Sequence, residues 1–150
     1  MPYQLKLAVL HRSGCSSPMK TERYTFDFVV NGRSLFGATD ASSLDLCGCL
    51  SDPQREPEFA LRLNGTVARL LTSDIPNGGS KRVALFVCPE CGDVACGAIT
   101  ARVSRNDDIV QWSGFAYENG YESEAALSDV GPYAFNWAAY LNEIEQACAR

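Results

Sequence analysis

The sequence predicts an α+β domain: a largely antiparallel β-sheet, built from a hairpin and a three-strand meander, with an amphipathic helix at its C-terminal end. Three observations carry this expectation. Apolar and polar residues alternate over residues 3–9 and 24–30, the period of a half-buried strand. Three β-rich runs between Arg82 and Tyr117 are separated by turn-forming residues, as in a meander. Trp137, Leu141, Ile144 and Cys148 recur on one helical stripe, with Asn142, Glu143 and Glu145 turned away from it. The chain has 150 residues, 46% of them hydrophobic and 21% charged, enough apolar surface to offset the ordering entropy of one domain over residues 1–150.

Along the chain, Tyr3, Leu5, Leu7 and Val9 mark the first strand. The run Leu5-Lys6-Leu7-Ala8-Val9-Leu10 is short, contains a lysine and is followed by His11-Arg12 where a signal peptide would carry small residues, so it does not read as a secretory signal. No stretch is long enough to cross a bilayer, and a cytoplasmic location is expected. Residues 11–22 are polar and read as a loop. Tyr24, Phe26, Phe28 and Val30 alternate again, and Asn31-Gly32 can take the positive φ angles of a tight turn, so a hairpin is expected over residues 23–39.

Residues 40–57 read mostly as loop, interrupted by Leu44-Asp45-Leu46-Cys47-Gly48-Cys49-Leu50. Residues 59–71 suit either a second hairpin turning at Asn64-Gly65 or a helix broken at the glycine. Ile75-Pro76-Asn77-Gly78-Gly79-Ser80 then breaks the chain ahead of the most β-like stretch, residues 82–87. That strand enters Cys88-Pro89-Glu90-Cys91-Gly92-Asp93, returns over residues 98–104, turns at Arg105-Asn106-Asp107-Asp108 and continues over 109–117. Pro132 stands where a first helical turn tolerates proline, which places the last helix at about residues 132–147.

Charge is distributed unevenly. The formal net charge is −5, from 13 basic and 18 acidic residues. No Lys or Arg lies between Asn106 and Ala149, while Asp107, Asp108, Glu118, Glu122, Glu124, Asp129, Glu143 and Glu145 all do. Such a block repels phosphate backbones and attracts basic proteins, which argues against nucleic acid as a partner. Glu118, Glu122, Glu124 and Asp129, between the last meander strand and the helix, are the candidate partner-binding residues; solubility alone is the plainer explanation of the same block.

Seven cysteines, an odd number, with no signal peptide, point to thiols or metal ligands and away from a disulfide framework. Cys88-Pro89-Glu90-Cys91-Gly92 has the form of a zinc knuckle, in which two thiolates two residues apart grip one ion while turn amides face the sulfurs. Cys96 adds a third sulfur on the return strand. Tetrahedral closure needs a fourth ligand, for which Cys47 or Cys49 is preferred over Cys15 and His11. The same CxxC pair is also compatible with redox cycling, although a thioredoxin-like pair sits between a strand and a helix and this one opens a strand-to-strand turn. Buried, inert thiols are the third option. His11 and Cys15 lack an orienting acid for nucleophilic catalysis, and there is neither a phosphate-binding glycine loop nor a dinucleotide fingerprint.

Three stretches together resemble an uncharacterised, mainly actinobacterial family, some of whose members carry the label oxidoreductase: Phe86-Val87-Cys88-Pro89-Glu90-Cys91-Gly92-Asp93-Val94-Ala95-Cys96-Gly97-Ala98; Val110-Gln111-Trp112 with Phe115-Ala116-Tyr117-Glu118-Asn119; and Gly131-Pro132-Tyr133-Ala134-Phe135 with Tyr140. The resemblance covers roughly residues 81–147 and is most specific at the cysteine turn. It implies no established substrate, cofactor or mechanism. The cysteine turn is similar, more loosely, to that of small toxin-immunity proteins. The expected function is accordingly a non-catalytic cytoplasmic protein-binding module, an immunity or antitoxin-type inhibitor of a basic partner, with a cysteine turn holding structural zinc. The alternative is a thiol oxidoreductase using Cys88 and Cys91.

Overall fold

The computed structural model describes residues 2–12, 15–16, 19–20, 23–39, 41, 47–48, 63–87, 97–119 and 125–149. In chain order these form β1 (Leu5–Arg12), β2 (Cys15–Ser16), β3 (Met19–Lys20), β4 (Arg23–Val30), β5 (Arg33–Ser34), α1 (Leu35–Ala38), β6 (Cys47–Gly48), α2 (Gly65–Leu71), β7 (Ser80–Val87), β8 (Ala98–Asn106), β9 (Ile109–Glu118), β10 (Ala125–Ala126), β11 (Tyr133–Asn136) and α3 (Trp137–Ala149). The α+β class, the antiparallel sheets and the C-terminal helix are those the sequence predicts. None of the described helices is long and apolar enough to cross a membrane.

Two sheets enclose the core. In the smaller, β4 lies between β1 and β5, all antiparallel. Asn31 and Gly32 turn β4 into β5 with φ of 48° and 83°, the left-handed values that Asn and Gly tolerate best. The returning arm of this hairpin is only two residues long, because Ser34 caps α1: its Oγ accepts from Gly37 N–H at 3.1 Å and also donates to Asp27. Asp27 is buried in β4 and its other oxygen accepts from Phe36 N–H at 3.0 Å, which ties α1 to β4, while Leu35 and Phe36 of α1 join the core, the Phe36 ring 5.6 Å from that of Phe86.

The larger sheet runs β10-β9-β8-β7-β6, with β11 on the same edge of β9 as β10. Its centre is the predicted meander, β7-β8-β9. Phe28 of β4 meets Phe86 of β7 and Trp112 of β9 edge to face, at centroid distances of 5.8 and 5.5 Å, so the two sheets pack through their aromatic faces. Leu5, Leu7, Phe26, Val83, Ile99, Val103, Val110 and Phe135 complete this layer. Asn77 joins the 75–80 breaker to the β8–β9 turn, accepting from Asp107 N–H at 2.7 Å and donating to the Asp107 carboxylate at 3.1 Å.

The start of the last helix is corrected by the structure. Pro132 follows Gly131 through a cis peptide bond and leads into β11, which pairs with residues 109–112 of β9. Tyr133 and Phe135 are buried while Asn136 is exposed, a strand period, and the Asn136 side chain then caps α3 by accepting from Ala139 N–H at 3.1 Å. The most deeply buried stripe of α3 is Tyr140, Ile144 and Ala147, with Trp137, Leu141 and Cys148 half-buried beside it. Of the two options for residues 59–71, the described part is helical: Asn64 Oδ1 accepts from Thr66 N–H at 2.9 Å and opens α2 at Gly65.

Candidate functional site

Two of the sequence candidates, Cys47 and Glu118, lie in one row across an end of the meander. Antiparallel register aligns Cys47 of β6 with Val87 of β7, Val87 with Ala98 of β8, and Ala98 with Glu118 of β9. A single row across four strands therefore carries Cys47, the residue preceding Cys88, the residue two after Cys96, and Glu118. Cys88, Cys91, Cys96 and Cys49 themselves, with Glu122 and Glu124, lie outside the described residues. No cluster of three or more metal-ligating side chains occurs among the described residues.

Above this row the sheet face turned away from the aromatic core holds a polar cluster. Arg82 Nη1 donates to Thr100 Oγ1 at 2.8 Å, the Thr100 hydroxyl donates to Glu118, and Arg82 Nη1 stands 4.0 Å from Glu118 Oε2. Thr100 is fully buried, whereas both charged side chains are about a quarter exposed, at 25% and 24%. Ala84, Val87 and Ala98 pack together alongside. Arg82 faces Arg102 directly across β7 and β8, a like-charge pairing that is unfavourable unless neutralised. Glu118 supplies that neutralisation for Arg82, while Arg102 is exposed and its Nη1 donates to Ser80 Oγ at 3.1 Å.

A bulge makes the reach of Arg82 possible. The β8–β9 register shifts between Thr100 and Arg102, where Gly114 adopts φ +56°. A Cβ on Gly114 would stand 3.2 Å from Arg82 Nη2, so glycine serves both the left-handed backbone and the guanidinium lying over it.

The arrangement thus engages Glu118 internally and leaves other carboxylates outward. Asp129 is exposed in the turn after β10, Asp107 and Asp108 are exposed at the β8–β9 turn, and Glu145 is exposed on α3. Cys148 sits half-buried on α3; burial, and secondarily the Glu145 charge, push its thiol pKa up, which favours the protonated form over the nucleophilic thiolate. No family model matches the chain, and comparison with curated proteins and with solved structures gives no significant match.

Sequence reasoning missed the Arg82–Thr100–Glu118 cluster. The only available signal was Thr100 within an apolar run, a buried polar residue in need of a partner. Nothing local pairs it with residues 18 positions away on either side.

Proposed function

We propose that this chain is a non-catalytic protein-binding module for a basic partner, of the kind an immunity or antitoxin-type protein neutralises, and that its cysteine turn holds a structural zinc ion. The binding reading rests on one observation above the others: Asp107, Asp108, Asp129 and Glu145 are all exposed, and none forms an ion pair with a described residue. Exposed carboxylates accelerate encounter with a cationic surface, an attraction screened within a Debye length. Glu118 contributes less to such a face than its place in the sequence suggests, because Arg82 and Thr100 already hold it.

Substitution of Asp107, Asp108 and Asp129 by asparagine and of Glu145 by glutamine should remove proteins that the wild type retains from an extract of its native host. Each change should alter stability by no more than about 0.5 kcal/mol. Retention of the same proteins by both forms would refute the charge-based reading and leave the carboxylates a solvated surface.

The zinc reading draws support from the register that sets Cys47 opposite Val87, one residue before the first cysteine of the turn. Protein purified without added metal should contain one zinc per chain, lost in Cys91→Ser and in Cys47→Ser. Metal-free wild type would refute it, and a reversible Cys88–Cys91 disulfide in a glutathione titration would favour thiol oxidoreductase chemistry instead.

A further inference from the structure

The geometry points to a small-molecule site between β1 and α3 that takes a free α-amino acid, its carboxylate on Lys6 and its ammonium on Glu143. This goes beyond the charge-based reading, which concerns a protein partner and a different set of carboxylates.

The site is a cleft of about 310 Å³ with β1 as one wall and α3 as the other. Small-molecule sites commonly run from about 300 to 1,000 Å³, so this one suits a ligand at the small end of that range. Phe135 and Tyr140, both buried, contribute aromatic lining, and Asn142 and Gln146 of α3 add amide groups. Apolar lining with a few polar groups is the usual make-up of a ligand pocket.

Two opposite charges line the cleft without meeting. Lys6 belongs to β1 and Glu143 to α3, and neither forms an ion pair with the other or with any described residue. Glu143 is nevertheless fixed in place. Its Oε2 accepts the Leu7 N–H at 2.9 Å, and its other oxygen has no hydrogen-bond partner among the described residues. Its neighbours three and four positions along the helix, Ala139, Tyr140, Gln146 and Ala147, carry no charge, so no adjacent side chain on α3 neutralises it. A carboxylate anchored through one oxygen is a preorganised acceptor, which loses little further freedom when a cation arrives. Lys6 is exposed, and its flexible four-carbon stem lets the ammonium adjust to a ligand already seated on Glu143.

The pair of charges selects a zwitterion. An α-amino acid carries an ammonium and a carboxylate on one carbon and makes a charge-assisted hydrogen bond to each wall. A simple amine or a simple carboxylate makes one such bond and leaves the other wall unmatched. What remains for the side chain, the Asn142 and Gln146 amides and the Phe135 and Tyr140 rings, is uncharged, so a neutral side chain fits best.

The probes are the twenty common free L-amino acids, titrated into the full chain by isothermal calorimetry, and then the α-amide and N-acetyl derivatives of the tightest binder. An amino acid with a neutral side chain should bind at one per chain with a Kd below about 1 mM. Removal of either charge from the ligand should weaken binding about tenfold or more, the effect of one lost charge-assisted hydrogen bond. In Lys6→Met the amino acid and its α-amide should bind within about threefold of each other, while the loss on N-acetylation persists. Glu143→Gln, folded by circular dichroism, should show the complementary pattern, and Lys6→Met, at an exposed position, decides the matter alone if Glu143→Gln does not fold. Absence of saturable binding by all twenty would overturn the proposal. Equal binding of the amino acid and both derivatives would overturn recognition of a zwitterion, and unchanged discrimination in Lys6→Met would overturn the assignment to this cleft. Tightest binding by an acidic or basic amino acid would overturn the choice of a neutral side chain.

Discussion

Removal of one buried hydroxyl, in Tyr140→Phe, is expected to destabilise the fold by roughly 2–3 kcal/mol. Tyr140 is 2% exposed, and its hydroxyl joins three elements: it donates to the Leu71 carbonyl of α2 at 2.6 Å and accepts from Trp112 Nε1–H of β9 at 3.3 Å. Phenylalanine keeps the ring and its stacking on Phe135, 5.7 Å away, so no cavity larger than the lost oxygen forms. The cost is electrostatic. Two polar groups in the core lose their partner, and each unsatisfied group costs about 1–3 kcal/mol. The Trp112 bond is long, so most of the loss comes from the Leu71 carbonyl, which as a helix C-terminal group has no intrahelical donor. At roughly 2–4 °C per kcal/mol for a chain of this size, the melting temperature should drop by about 4–12 °C. Urea unfolding followed by circular dichroism and tryptophan fluorescence would measure it, with an unchanged denaturant slope. A loss under about 0.5 kcal/mol would refute the reasoning and mean that water reaches both groups.

Gly114→Ala should cost about 1–2 kcal/mol, from the left-handed backbone conformation and the displaced Arg82 guanidinium, and Gly114→Asn less, because asparagine tolerates that conformation; thermal unfolding of the pair measures the difference. Cys148 should react with iodoacetamide more slowly than a free thiol at pH 8, since its pKa is raised and the thiolate is the reactive form, and Glu145→Gln should speed the reaction modestly. Mass spectrometry of the C-terminal peptide separates this site from the other cysteines.

The elements legible in the sequence are those whose burial pattern is local. The meander, the Asn31-Gly32 turn and the C-terminal helix each announce themselves by period or by residues fit for positive φ. The sequence misplaces the helix start because Pro132 offers a familiar opening. The competing signal, Tyr133 and Phe135 alternating ahead of a capping Asn136, spans only four residues and has meaning only once β9 is known to have a free edge there. Leu85 is likewise an extra residue in β7, where the register shifts between Ala84 and Phe86, so that Leu85, Phe86 and Val87 are buried in succession. A run of that kind shows a strand but conceals which residue faces which layer.

The site was legible in its parts and not in its assembly. Cys47 and Val87 are forty positions apart, and β6 is too short for alternation to fix a register, so no pattern in the sequence sets one across from the other. Glu118 was named for its charge, yet its charge is what binds it to Arg82 once three strands align. A carboxylate opposite a facing arginine pair has a structural task before it has any other. The outward carboxylates of the β8–β9 turn, the β10–β11 turn and α3 have no such neighbour among the described residues, and Glu143, half-buried and turned to a backbone N–H on β1, has a task of a third kind. Within one acidic block, then, position in the fold divides side chains of the same chemistry into one held inside the sheet by Arg82 and Thr100, those that face solvent, and one that accepts a backbone N–H of β1.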